Sequence, residues 1–78
     1  MDRATTNNPG TPDFLFAIKG QAVALEAKLP GRVPSIEQLK MLTALSSNGW
    51  ICRVVHSIDE AIQAVRLADQ TANQSTTS

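Results

Sequence analysis

Two β-like runs, Asp13 to Ile18 and Gln21 to Lys28, are separated only by Lys19-Gly20, and this spacing constrains the chain more than any other feature. Apolar-rich runs joined by two residues, one of them glycine, predict a β-hairpin, although Lys-Gly is a weaker turn former than Asn-Gly. With a two-residue turn, Ile18 pairs with Gln21. Counting back along both arms then places Asp13 directly opposite Glu26, with Lys28 on the same face. Leu15, Ala17, Ala22 and Ala24 share that face, while Phe14, Phe16, Ile18, Val23 and Leu25 form the other. A glycine bulge at the turn would shift the pairing by one residue and separate the two acids.

Beyond the hairpin, Pro30-Gly31 and Pro34 break the chain, and Ser35 opens a helix with the spacing of a capping box, Gln38 lying three residues on. Ile36, Leu39, Leu42 and Leu45 are expected as its apolar face, with Glu37 and Lys40 in water and Gly49 as the left-handed stop. Trp50 to Val55 reads as a third strand, apolar on both faces except for Arg53, which fits a strand covered on both sides. Ser57, with Glu60 three residues on, caps a second helix whose Ile58, Ala61, Ile62, Val65 and Ala68 are expected to face inward. The order is β-β-α-β-α. A strand, a helix of crossover length and another strand predict a right-handed parallel connection, so the fold class is α/β, a small mixed β-sheet with flanking helices.

Residues 1–9 are polar and without period, and from Gln70 the chain turns to Thr, Asn, Gln and Ser. The expected division is a flexible segment over 1–9, a folded domain over 10–69 and a disordered tail over 70–78. A chain of 78 residues makes one domain at most and buries only about 60% of its unfolded surface, so marginal stability or self-association is expected. No apolar run is long enough to span a bilayer, and the N-terminus lacks the pattern of a signal peptide, so the expectation is a soluble, intracellular protein without membrane contact. The single cysteine, Cys52, cannot form an internal disulfide and reads as a small buried hydrophobe.

Lys plus Arg balance Asp plus Glu at seven each, so composition alone does not point to a polyanionic partner. Two carboxylates facing each other on a sheet repel unless something positive lies between them. A hard divalent cation, Mg2+ or Mn2+, is the natural candidate, because it takes one or two protein carboxylates and leaves other positions to water and phosphate. Lys28 would point to the same place, where it would hold an attacking water or offset developing negative charge. The plainer reading of the same three residues is a solvated ion pair near strand ends. Arg32 and Lys40 are candidate contacts to the phosphates of DNA, although a solvated face explains Lys40 equally well. His56, at the end of the third strand, reads as a surface or capping residue outside the site.

The segments Gly10-Thr11-Pro12-Asp13-Phe14 and Leu25-Glu26-Ala27-Lys28, followed by a glycine-proline stretch and Gln38, resemble the VRR-NUC family, the virus-type replication and repair nucleases of the PD-(D/E)XK superfamily. The likeness runs from about Gly10 to Val65. It implies a restriction-endonuclease-like core similar to Holliday-junction resolvases. Asp13, Glu26 and the backbone carbonyl of Ala27 would bind metal, Lys28 would assist hydrolysis, and Gln38 would match the family's helix glutamine. Gln38 has two readings at this point, a contact to the metal-bound water or substrate phosphate, or a partner in the capping box. The resemblance also implies a homodimer acting on branched or junction DNA. The family usually carries a further acid on an N-terminal helix, and Asp2 in the short polar segment is a poor substitute. That departure supports an alternative, a catalytically weak module that binds DNA or a repair protein while keeping the fold. A structural phage or plasmid protein, which would bind no metal, is a third.

Overall fold

A computed structural model describes residues 10–76 of the chain, with side chains described as far as Ala72. The expected flexible segment over 1–9, Asp2 included, lies outside the described residues. Five elements follow in the expected order: β1 over Phe14–Ile18, β2 over Gln21–Ala27, α1 over Ile36–Ser47, β3 over Ile51–Val55 and α2 over Ile58–Thr76. The sheet runs β1-β2-β3, with β1 antiparallel and β3 parallel to the central β2.

The hairpin takes the register that the short connection requires. Lys19 (φ 51°) and Gly20 (φ 86°) are both left-handed, the pattern of a type I′ turn whose twist matches the strands it joins. Ile18 pairs with Gln21 and Phe14 with Leu25. A lysine in this backbone region is strained, and its ammonium sits 2.9 Å from Asp69 on α2, which ties the turn to the helix.

Because β2 is central, it carries the core. Val23, Ala24, Leu25 and Glu26 are all buried. Val23 and Leu25 pack with Val55 against Ala64 and Ala68 of α2, with Phe16, Ile18, Ile51 and Ala61 around them. On the other face α1 packs mainly on β3 and buries Leu42. β3 is thus covered on both faces, as its sequence implied, but forms one edge of the sheet. Arg53 lies exposed on that edge and donates to the carbonyl of Cys52 at 2.7 Å.

Three expectations about the helices are corrected. Ile36 and Leu39 are exposed, at 69% and 49%, and the inward stripe of α1 is Gln38, Met41, Leu42 and Leu45. Nine residues at about 100° each put Ile36 roughly half a turn out of phase with Leu45, so a strict three-residue spacing drifts off the buried face. In α2, Ile58, Ile62 and Val65 are exposed as well, and the helix rests on Ala61, Ala64, Ala68 and Ala72. Finally, α2 does not stop near Asp69 but continues to Thr76, because Ala72, only 3% exposed, extends the alanine ridge by a further turn.

The helix ends follow the local rules. Ser35 and Gln38 form both bonds of the capping box. At the other end, Trp50 donates to the Leu45 carbonyl and Gly49, at φ 92°, to that of Ser46, the paired bonds of a Schellman motif. Ser57 accepts the Glu60 amide at 3.1 Å, but the Glu60 carboxylate reaches one residue further back than a capping box requires, to the amide of His56 at 2.8 Å. Among the described residues, no helix is long and apolar enough to cross a membrane.

Candidate functional site

The acidic pair sits where the hairpin opens. Asp13 lies one step before β1, and continuing the register one step past the Phe14–Leu25 pair brings it opposite Glu26. Its Oδ2 accepts the backbone amide of Ala27 at 2.9 Å, so a side chain supplies the next rung of the ladder. The N–H and C=O of one residue in an extended strand point to the same side. The Ala27 carbonyl therefore also faces the β1 side, where Asp13 stands.

Glu26 is only 2% exposed, which is unusual for a carboxylate in a domain this small. Its Oε2 accepts Gln38 Nε2 at 2.5 Å and lies 3.6 Å from Lys28 Nζ. Its Oε1 is buried and has no hydrogen-bond partner. An unpaired carboxylate oxygen inside a protein costs on the order of 1–3 kcal/mol or more, so this atom is suited to a further partner. A hard cation with oxygen ligands fits. Gln38 and Lys28 engage one Glu26 oxygen and leave the other open, the Asp13 bond leaves that residue's Oδ1 outside it, and the Ala27 carbonyl is the third oxygen at hand. Among the described residues, no group of three or more His, Cys, Asp or Glu side chains has the geometry to hold a metal.

Gln38 takes the capping-box role and also reaches Glu26, a partner that neither sequence reading named. Its Oε1 accepts the Ser35 amide at 2.8 Å, closing the capping box, and its Nε2 holds Glu26. One amide thus couples the start of α1 to the buried acid. Gly10, at φ 92°, makes this approach possible: a Cβ there would meet the Glu37 carbonyl oxygen at 2.5 Å and the Gln38 amide nitrogen at 3.2 Å. Gly10 is pressed onto the first turn of α1, and Pro12, two residues on, is buried.

Lys28 belongs to the cluster, half-buried and beside Glu26, with its amide bonded to the Val55 carbonyl at 3.0 Å. Arg32 closes a turn in which its amide donates to Leu29 at 3.0 Å and Gly31 takes φ 84°, the type II turn that Pro30-Gly31 encodes. It lines an open recess of about 560 Å³ together with Ala27, Lys28, Leu29, Gly31 and Val33. Lys40 stands apart. It follows Gln38 by two residues, about 200° around the helix, and points away from Glu26.

His56 was not legible as part of this region. Its Nε2 lies 3.2 Å from the Arg32 carbonyl and its Nδ1 3.4 Å from Glu60, so the ring pins the Pro30-Gly31 turn to the end of β3. A carbonyl only accepts, which places a proton on Nε2. The available signal was position alone: His56 directly follows Val55, which holds Lys28.

No family model, curated protein or solved structure matches the chain. The likeness to the VRR-NUC family therefore rests on the residues themselves.

Among the other side chains, burial pushes the Cys52 thiol above its ordinary pKa, and the neighbouring Arg53 charge pulls the opposite way with less effect.

Proposed function

We propose that the chain is a nuclease that hydrolyses DNA phosphodiester bonds with the help of Mg2+ or Mn2+. The observation that supports this most is the open, buried oxygen of Glu26, a residue whose strand position lies opposite Asp13 and whose carboxylate has a lysine beside it. Asp13, Glu26 and the Ala27 carbonyl would hold the ion, which when bound activates water and offsets charge on a phosphate. Gln38 keeps Glu26 oriented with one oxygen open. Lys28 supplies a fixed positive charge next to the acids, suited to orienting the attacking water and to opposing the negative charge that builds up on the scissile phosphate. Arg32 presents a cation on a rigid turn beside Lys28, where it would position a neighbouring phosphate without reading sequence. Branched or junction DNA is the proposed substrate class, from the resemblance to the resolvase-like nucleases.

The test is a cleavage panel of plasmid, flap and four-way DNA with Mn2+, run in parallel on the parent protein, Glu26→Gln and Lys28→Ala, with circular dichroism to confirm folding. Cutting by the parent and loss in both folded variants is the expected result. Equal cutting by all three would remove the proposed site, and tight binding without cutting by the parent would favour a binding module.

A further inference from the structure

The ring of Phe14 stands beside the acidic cluster, yet hydrolysis makes no use of it. Phe14 is 55% exposed, whereas Phe16 and Trp50, the other two aromatic residues of the chain, are half-buried. It lines a recess of about 500 Å³, the size of a small-molecule site, together with Ala27 and Val55 from the other two strands and with Ile58 and Ala61 from the first turns of α2. Phe14 pairs with Leu25, Ala27 follows Leu25 by two residues, and Val55 belongs to the core under α2. The recess therefore opens on the face of the sheet that α2 covers, opposite to the face that carries Glu26. Ala27, Lys28 and Leu29 line both this recess and the one that carries Arg32. The end of β2 thus stands between a cationic hollow and an apolar, aromatic one, immediately after Glu26.

We propose that the Phe14 recess is a subsite for one unstacked nucleobase of the DNA strand whose phosphate meets the acidic cluster. The proposal rests on the nuclease reading and adds a requirement on the substrate. Asp13 and Phe14 are consecutive, so their side chains leave the extended chain on opposite faces. A nucleotide at the open end of the ribbon can then set its phosphate by the carboxylates and its base over the ring. A paired base cannot make this contact, because it reaches the far face of the sheet only by leaving its stack. Once out, it loses its stacking neighbours, and an exposed aromatic ring replaces them. Stacking of this kind accepts any base, since every base has a π-face. The surroundings match a single strand: Lys28 and Arg32 supply charge for its phosphates, and Phe14, Ile58 and Ala61 supply apolar surface for a base. The favoured substrate is therefore DNA with an unpaired nucleotide beside the cut, whichever base that nucleotide carries.

The test is fluorescence anisotropy of the full chain with a labelled flap duplex, in Ca2+ and at fixed salt, the unpaired bases being replaced one at a time by an abasic residue that keeps the phosphate. One abasic position, next to the branch, should weaken binding by about tenfold. Because Phe14 is exposed, Phe14→Ala should leave the fold intact, weaken binding of the unmodified flap by the same factor, and make binding indifferent to that abasic position. Phe14→Trp should restore both affinity and base dependence. Binding by the parent protein that ignores every abasic position overturns the subsite, and needs no variant to show it. Undiminished base dependence in folded Phe14→Ala overturns the role of the ring. Cleavage of the same flap in Mn2+ separates the two readings. Base-dependent binding without cutting fails the nuclease reading alone, cutting with base-independent binding fails the subsite alone, and no binding of DNA fails both.

Discussion

Divalent cations should stabilise this protein through Glu26, and the size of the effect can be worked out in advance. Without a cation, one oxygen of a carboxylate only 2% exposed has no partner, and Lys28 and Gln38 both address the other oxygen. A ligand that binds the folded chain alone stabilises it by RT ln(1 + [L]/Kd), about 1.4 kcal/mol at ten times Kd. For a domain of this length each kcal/mol moves Tm by about 4–8 °C, so Mg2+ or Mn2+ at that level should raise Tm by roughly 6–11 °C. Glu26→Gln keeps the shape of the side chain and removes its charge. It should abolish the cation-dependent rise, each protein serving as its own metal-free baseline. Thermal unfolding followed by circular dichroism, with NaCl added to match ionic strength, separates the specific effect from screening. An equal rise in parent and variant, or no rise in the parent with Mg2+ or Mn2+, would falsify the account of the open oxygen.

Gly10 and Gly49 share φ 92°, yet an added Cβ meets the α1 backbone only at Gly10. Both alanine substitutions carry the left-handed penalty of about 1–2 kcal/mol. Gly10→Ala should therefore cost more than Gly49→Ala in urea unfolding, and it alone should diminish the cation-dependent rise by displacing Gln38; equal costs would refute the packing argument. His56→Ala removes the bond to the Arg32 carbonyl, worth about 1 kcal/mol, so hydrogen exchange at the Arg32 amide should quicken by roughly fivefold, and an unchanged rate would show that the turn holds itself. The raised pKa of Cys52 means less thiolate at neutral pH, so alkylation should be slower than in the urea-unfolded chain and should rise with pH. The sign carries over to stability. A thiol whose pKa is raised by folding contributes stability below the unfolded pKa, and that contribution fades as pH climbs through the folded value. A native rate equal to the unfolded rate at neutral pH would contradict the burial.

The sequence made the β-ribbon legible because its signals were local and agreed with one another. A two-residue connection set the pairing, the alternation of Phe14, Phe16, Ile18, Val23 and Leu25 set the face, and the capping patterns at Ser35 and Ser57 set where the helices begin. The orientation of the helices was not legible to the same degree. In α2, isoleucine, valine and alanine form one broad apolar sector, and hydrophobicity alone favours turning its largest members inward. The sheet instead takes the alanines, whose short side chains let the helix approach closely, and leaves Ile58, Ile62 and Val65 on the flank. The end of α2 was misread for a related reason: the mean composition past Gln70 is polar, but one alanine on the correct face keeps the helix docked. In α1 a glutamine occupies the buried stripe ahead of Leu42 and Leu45. Helical spacing from Met41, Leu42 and Leu45 puts Gln38 at the border of the buried face, but its partner there, Glu26, belongs to another element and no local pattern reports it.

The geometry of the acidic pair depends on parity. β2 must turn Val23 and Leu25 toward α2, which sends Ala24 and Glu26 to the opposite face whatever β1 does. β1 is held by two requirements, that Phe16 and Ile18 join the same core and that Lys19-Gly20 close the hairpin with two residues. An extra residue at the turn would satisfy only one of them, leaving either the aromatic residues or Asp13 on the wrong side. The strained lysine at φ 51°, fastened to Asp69, is then the cost of a connection that brings Asp13 and Glu26 opposite each other. Past that turn the two arms diverge in function. Near it the ribbon is held by backbone pairing on both arms, and at its open end Asp13 replaces a backbone rung with a carboxylate. Gly10 allows α1 to close over that end, and Gln38 then fixes Glu26. Polar groups gather there because the backbone ladder ends one residue before the buried acid's partner, so no strand satisfies them.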